Sequence, residues 1–400
     1  MYANATVRLP GRLPSLTGLR WVAALVIFAY HTRNVIHFPA SGHAVLTLVF
    51  GAGPTAVSLF FILSGFVLAW SHDSRTTARK FWTRRAASIA PVHLAALALA
   101  LALAATLIPS IRTEDPWAIL ANGFLVNSWN PHWWQAGNPV SWSLACEAFF
   151  YVAFPVLIRI MRRFGPVQLW GVLALQVGIV FAIPTFHDQL PLIISANSSP
   201  LGRLPEFIIG VTLGLMIKTE VWRGPRLRVG VTAAVSGYLI ATLAPDTAYT
   251  NAADTVIGFA LLISASARCD VEGRHSPLGS RTMTRLGTLS FAFYLIHVLA
   301  LQSISSLFPE QLPESSSFVG VVLAAAAFAV SLAGAELLNR VVERPARQLI
   351  LRRKRATPSE SDVSPSRRPV LWTWKQDERR DTGTGTGTGT GTTQTLQARR

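Results

Sequence analysis

The stretch SLTGLRWVAALVIFAYHT, residues 15–32, reads as a helix apolar enough to enter a bilayer, yet it carries Arg20 and His31. The two residues are eleven apart. Eleven steps of about 100° come to roughly 1100°, about 20° past three turns, which predicts one shared face and an axial separation of about 16 Å. An ionisable residue inside a membrane helix is costly to place there and is by default a functional-site candidate. The pair is expected to hold an anion at the surface through Arg20 and to handle a proton at depth through His31.

Working outward, the whole chain has the composition of a membrane protein. Half of its 400 residues are hydrophobic and only 14% are charged, and the mean hydropathy is +0.38, far from an ordinary soluble domain. Apolar runs long enough to span a ~30 Å core recur throughout. They predict an all-α, polytopic protein with about ten spans near 16–37, 45–70, 86–108, 141–161, 167–184, 203–218, 229–244, 253–268, 286–307 and 318–342. A further half-helix is expected over 116–127. The first apolar segment is too long for a signal peptide and lacks a small-residue cleavage site.

Basic residues concentrate in alternate connections: Arg75 to Arg85, Arg159 to Arg163, Lys218 to Arg228 and Arg268 to Arg285. The intervening loops hold Arg112 and almost nothing else. That bias predicts both termini on the cytoplasmic side of a cell membrane. It also accounts for most of the +16 formal charge without nucleic acid as a partner. Cys146 and Cys269 fall in a span and in a connection, which suggests neither a structural disulfide nor a metal site. Residues 1–14 read as a cytoplasmic segment and 15–350 as the membrane domain. Residues 351–400, with their charged run and TG repeat, read as a disordered tail.

Further polar constellations interrupt the apolar runs. KFWTRRAASIAP, residues 80–91, puts Arg84 and Arg85 at the same rim as Arg20, where guanidinium forks could grip a phosphate-bearing ligand or simply obey membrane topology. In NPVSWSLACEAFFY, residues 138–151, Ser143, Glu147 and Tyr151 recur every four residues and share one helix face. Glu147 therefore needs a partner or a cavity within the span. In GRLPEFIIG, residues 202–210, Arg203 and Glu206 suit either a local ion pair or substrate binding. FAFYLIH, residues 291–297, sets Tyr294 and His297 three apart; His297 suits substrate contact or a helix–helix hydrogen bond. VVERPAR, residues 341–347, reads as a structural lock.

These motifs, taken in order with LTGLR-(ten residues)-H and FFILSGFVL, resemble the membrane acyltransferase family 3 over roughly residues 14–350. The resemblance implies transfer of an acyl group, typically acetyl, from coenzyme A to a hydroxyl of a sugar, surface polysaccharide, lipid or antibiotic. The compact form without an added esterase-like domain, and the opening RLPSLTGLRW, are similar to macrolide 3-O-acyltransferases. It further implies catalysis by His31, an essential Arg20 and coenzyme A contact through the Arg84–Arg85 pair. One departure is Ser88, where the family usually has a second Arg three residues after the position of Arg85.

The expected reaction runs from thioester to alcohol, with acyl-CoA as co-substrate, no metal, and a hydroxyl-bearing small molecule or glycan as acceptor. His31 would take the acceptor proton, and Glu147 would stabilise the imidazolium formed. Ser143, Tyr151, Arg203, Glu206 and His297 are the candidates for substrate contact. Direct transfer and an acyl-histidine relay both remain open at this point, as does a transporter or flippase for a lipid-linked sugar or metabolite, which buried Arg, His and Glu would serve as well.

Overall fold

Residues 10–243, 252–308 and 317–352 are described by a computed structural model, and within them the only regular secondary structure is helical, with no strand. The elements are α1 (Pro14–Val35), α2 (Ala40–Phe50), α3 (Ala56–Ser71), α4 (Ala78–Thr106), α5 (Pro116–Gly123), α6 (Trp142–Met161) and α7 (Pro166–Thr185). They continue as α8 (Leu192–Ser195), α9 (Pro200–Lys218), α10 (Leu227–Leu243), α11 (Ala253–Val271), α12 (Arg281–Leu307) and α13 (Ser317–Leu338). A π-helical turn (Asn339–Glu343) then leads into α14 (Arg344–Arg352). The segment expected as a half-helix is α5 followed by a 3-10 turn, Asn127–Trp129.

A helix occupies each of the ten predicted positions, and among the described residues seven helical segments are long and apolar enough to cross a membrane. At the other three positions α10 has 17 residues, while α1 and α11 carry Arg and Asp side chains. The predicted span 45–70 is two helices, α2 and α3, separated by a 3-10 turn at Gly53–Thr55. Cys269 lies inside α11 and not in a connection; like Cys146 it is buried and free. Large apolar side chains on α7 and α13, such as Val167, Leu175, Phe318 and Val321, face outward, as lipid contact requires. Except for the end of α14, the tail expected over 351–400 lies outside the described residues, as do residues 1–9.

Close helix approach builds the interior. In α3 and α9, a Cβ on Gly65 would fall 2.1 Å from the Phe207 carbonyl oxygen, and one on Gly210 would fall 1.9 Å from that of Ile62. Only hydrogen fits there, so the two backbones touch, the usual way membrane helices gain packing without a hydrophobic driving force. α1 and α12 meet the same way, with Gly287 against the Thr17 carbonyl at 2.0 Å.

Helix ends are capped by distant side chains. Asp270 of α11 accepts from the Ser15 backbone N–H (2.9 Å) and hydroxyl (2.7 Å), placing a carboxylate at the positive end of α1. Lys218 donates to the carbonyls of Trp70 (2.7 Å) and His72 (2.9 Å), closing the C-terminus of α3. Burial, with the Arg162 and Lys218 charges adding to it, holds His72 below the ordinary histidine range.

Candidate active site

Beside the seam between α1 and α12 lies a cavity of about 530 Å³, walled by α1, α3, α4, α6, α12, the π-turn and α14. Arg20, Ser64, Arg85, Ser143, Glu147, Tyr151 and Tyr294 all line it. Four-residue spacing on α6 carries Ser143, Glu147 and Tyr151 into one wall, as the sequence predicts.

Glu147 is held from two sides. Ser64 of α3 donates to its Oε1 at 2.8 Å, and the Tyr151 hydroxyl donates to the same oxygen. Tyr151 is itself fixed by a backbone defect. Pro155 has no N–H to give the carbonyl four residues earlier, so the Tyr151 carbonyl loses its helical partner. Trp82 Nε1 of α4 supplies it at 2.9 Å, which ties α4 to α6. The Arg85 guanidinium then lies over the rings of Phe81 and Tyr151, 5.6 Å from each centroid.

A second hydroxyl pair lies nearby. Ser143 Oγ and the Tyr294 hydroxyl are 2.9 Å apart, and both reach the Val140 carbonyl, at 3.3 and 3.1 Å. Tyr294 is the last residue of α12 on the cavity wall. One turn further, His297 is fully buried, with Nδ1 2.6 Å from the Tyr294 carbonyl oxygen and Nε2 without a partner. The His31 ring stands 5.2 Å from it. His31 thus belongs to a histidine pair next to the cavity wall and is not itself a lining residue.

The opposite end is basic. Arg20 and Arg85 are joined on the wall by Arg344 and Arg347, from the segment that reads in sequence as a lock. The π-turn organises that segment: Asn339 Nδ2 donates to Glu343 at 2.9 Å, and Arg344 Nε donates to Asn339 Oδ1 at 2.8 Å. Ser88 lines the cavity where the resemblance expects an Arg, and Arg84 is exposed and does not line it.

Arg203 and Glu206 lie elsewhere. They form a buried ion pair at 3.1 Å beside a separate cavity of about 160 Å³, with Arg203 also donating to Ser58 of α3 at 3.0 Å. Among the described residues no three His, Cys, Asp or Glu side chains gather as metal ligands. Sequence reasoning did not single out Ser64, Arg344 or Arg347 as site residues. A serine inside the apolar run FFILSGFVL was the available signal for Ser64.

A family model described as an acyltransferase domain matches residues 13–338. The chain belongs to that acyltransferase family. It is 36% identical to Acyltransferase MdmB of Streptomyces mycarofaciens over 364 residues, 86% of this chain and 94% of that protein. It is 25% identical to Nodulation protein 10 of Rhizobium leguminosarum bv. viciae over 315 residues, 72% of this chain and 82% of that one. A Staphylococcus aureus (strain COL) protein named for O-acetyl transfer is 25% identical over 232 residues, 51% of this chain and 35% of its own length. No solved structure matches this acyltransferase. With its apolar helices, family membership makes it a multi-pass membrane acyltransferase.

Proposed function

We propose that this membrane acyltransferase moves an acyl group, acetyl first among them, from acyl-CoA to a hydroxyl of a macrolide-like metabolite or a carbohydrate, in the cytoplasmic membrane of a bacterium. The observation that carries this reading is one cavity with a basic end and a hydroxyl- and carboxylate-bearing wall, next to a histidine pair. Phosphates of the donor sit among Arg20, Arg85, Arg344 and Arg347. Its thioester arm runs along the cavity toward Tyr294 and the histidines.

His31, as the neutral imidazole, takes the acceptor proton while the acceptor oxygen attacks the thioester carbonyl. A carbon–oxygen bond forms, the carbon–sulfur bond breaks, and His31 returns the proton to the departing sulfur. Ser143 and Tyr294 are the hydroxyl donors nearest the histidine end for the developing oxyanion. Purified protein in lipid, given labelled acetyl-CoA and a panel of macrolides and glycans, tests the reading. Label must move to a hydroxyl; transport of a panel compound with acyl-CoA left intact would replace it with the transporter reading.

A further inference from the structure

We propose that His297 is a positioning residue that fixes the tautomer and orientation of His31. The proposal rests on the reading of His31 as the base and goes beyond it by assigning the group that makes His31 a base in one direction only.

The argument begins with the bond that His297 makes to its own helix. Its Nδ1 lies 2.6 Å from the Tyr294 carbonyl oxygen. A carbonyl oxygen can only accept, so Nδ1 must carry the hydrogen, and in the neutral ring Nε2 then carries a lone pair. The ring is held in this orientation by packing. It is fully buried and lies parallel to Phe293, 6° between planes at 6.1 Å, with Phe28 and Tyr294 against its other sides. Nε2 is therefore a fixed acceptor, and it has no partner. A buried acceptor left unpaired is costly, and each such group in a native fold calls for an explanation.

The His31 ring supplies one. It lies 5.2 Å away, tilted by 55°, and makes no hydrogen bond to a described residue. A centroid separation of 5.2 Å is short enough for a nitrogen of each ring to reach hydrogen-bond distance once the His31 ring is turned toward His297. Donation from His31 to His297 Nε2 satisfies the orphan acceptor. It also assigns the tautomer, because the His31 nitrogen facing His297 holds the hydrogen and the other keeps the lone pair for the acceptor hydroxyl. A neutral acceptor suits the return half of the reaction. It holds the imidazolium in place while the proton returns to the sulfur. Buried side chains that orient a reacting histidine act in the same way in other sites.

Nitrogen-15 magnetic resonance on full-length protein with labelled histidine, in lipid bilayers at about pH 8, tests this without substrate. His31 and His297 signals are assigned by their loss in His31→Gln and His297→Gln. In the wild type, His297 should show a protonated Nδ1 and a hydrogen-bonded Nε2 coupled to a His31 N–H. Absence of that coupling would overturn the proposal with no variant involved. In His297→Leu, which keeps bulk and removes the acceptor, His31 should become a mixture of tautomers, and kcat with acetyl-CoA and the best acceptor of the panel should fall at least about 10-fold with donor KM unchanged. His297→Gln, whose amide oxygen can accept from His31, should recover part of kcat. Unchanged His31 signals and kcat in a folded His297→Leu protein would also overturn it. Loss of activity in His31→Gln beside that result would leave the base assignment standing. Full activity in His31→Gln would remove the base assignment, while the resonance coupling would still judge the pairing.

Discussion

Ser64 donates to Glu147 at 2.8 Å across the gap between α3 and α6, so the one carboxylate on the α6 wall of the cavity is hydrogen-bonded from a second helix. Glu147→Gln keeps the shape and leaves an oxygen for Ser64 and Tyr151 but removes the charge. Acyl transfer should fall at least about 10-fold in kcat with donor and acceptor binding little changed, as steady-state kinetics would show. A proton-coupled transporter would instead keep moving its substrate and lose pH dependence in this variant.

His31→Ala should abolish acyl transfer while the protein still inserts. Removing a general base costs about 10²–10⁴-fold. The check is turnover of purified protein against its membrane yield; near-normal turnover would sink the mechanism.

Arg85 lines the cavity and Arg84 does not, although the two are adjacent. Arg85→Gln should raise donor KM at least about 10-fold, and Arg84→Gln by less than about 3-fold, because a guanidinium on the wall loses a charge-assisted contact and an exposed one does not. In sealed, oriented vesicles, acetyl-CoA offered on the Arg-rich side alone should support turnover. Equal effects of the two substitutions would move the donor off this wall.

Gly210→Ala should separate α3 from α9, since its Cβ would meet the Ile62 carbonyl oxygen at 1.9 Å. Overpacking of this kind costs about 1–3 kcal/mol. Gly171 in the second turn of α7 has nothing within 4 Å of its Cβ position, and Gly171→Ala should be neutral or stabilising by up to about 1 kcal/mol through helix propensity. Thermal unfolding of both variants in detergent tests the contrast, and a tolerated Gly210→Ala would refute the close approach.

Truncation after residue 355 should leave activity largely intact, because the TG repeat and charged run offer no apolar face to dock. Activity lost from a well-expressed truncation would give the tail a part in the site.

Run length and polarity made the helices legible, since a bilayer demands about 20 apolar residues wherever the chain crosses it. Four-residue spacing likewise made the Ser143–Glu147–Tyr151 wall legible. Contacts between distant segments were not. Nothing local to Trp82 says that its indole completes the hydrogen bonding of Tyr151, and nothing near His31 points to His297. Arg203 and Glu206 had the residue types of a binding site, and only the packing of α9 on α3 separates them from the main cavity. VVERPAR concealed its role because a helical reading of that segment assumes ordinary register, which Asn339–Glu343 does not keep.

That π-turn works as an insertion frozen into the bundle. It holds one residue more than an α-helical turn, so everything after it is rotated by about 100° from where an unbroken helix would carry it. Deleting a single residue between 339 and 343 would swing Arg344 and Arg347 away from the cavity while leaving every guanidinium in the sequence. Relatives that differ here by one residue in length would then differ in how they hold the donor, however well their side chains align.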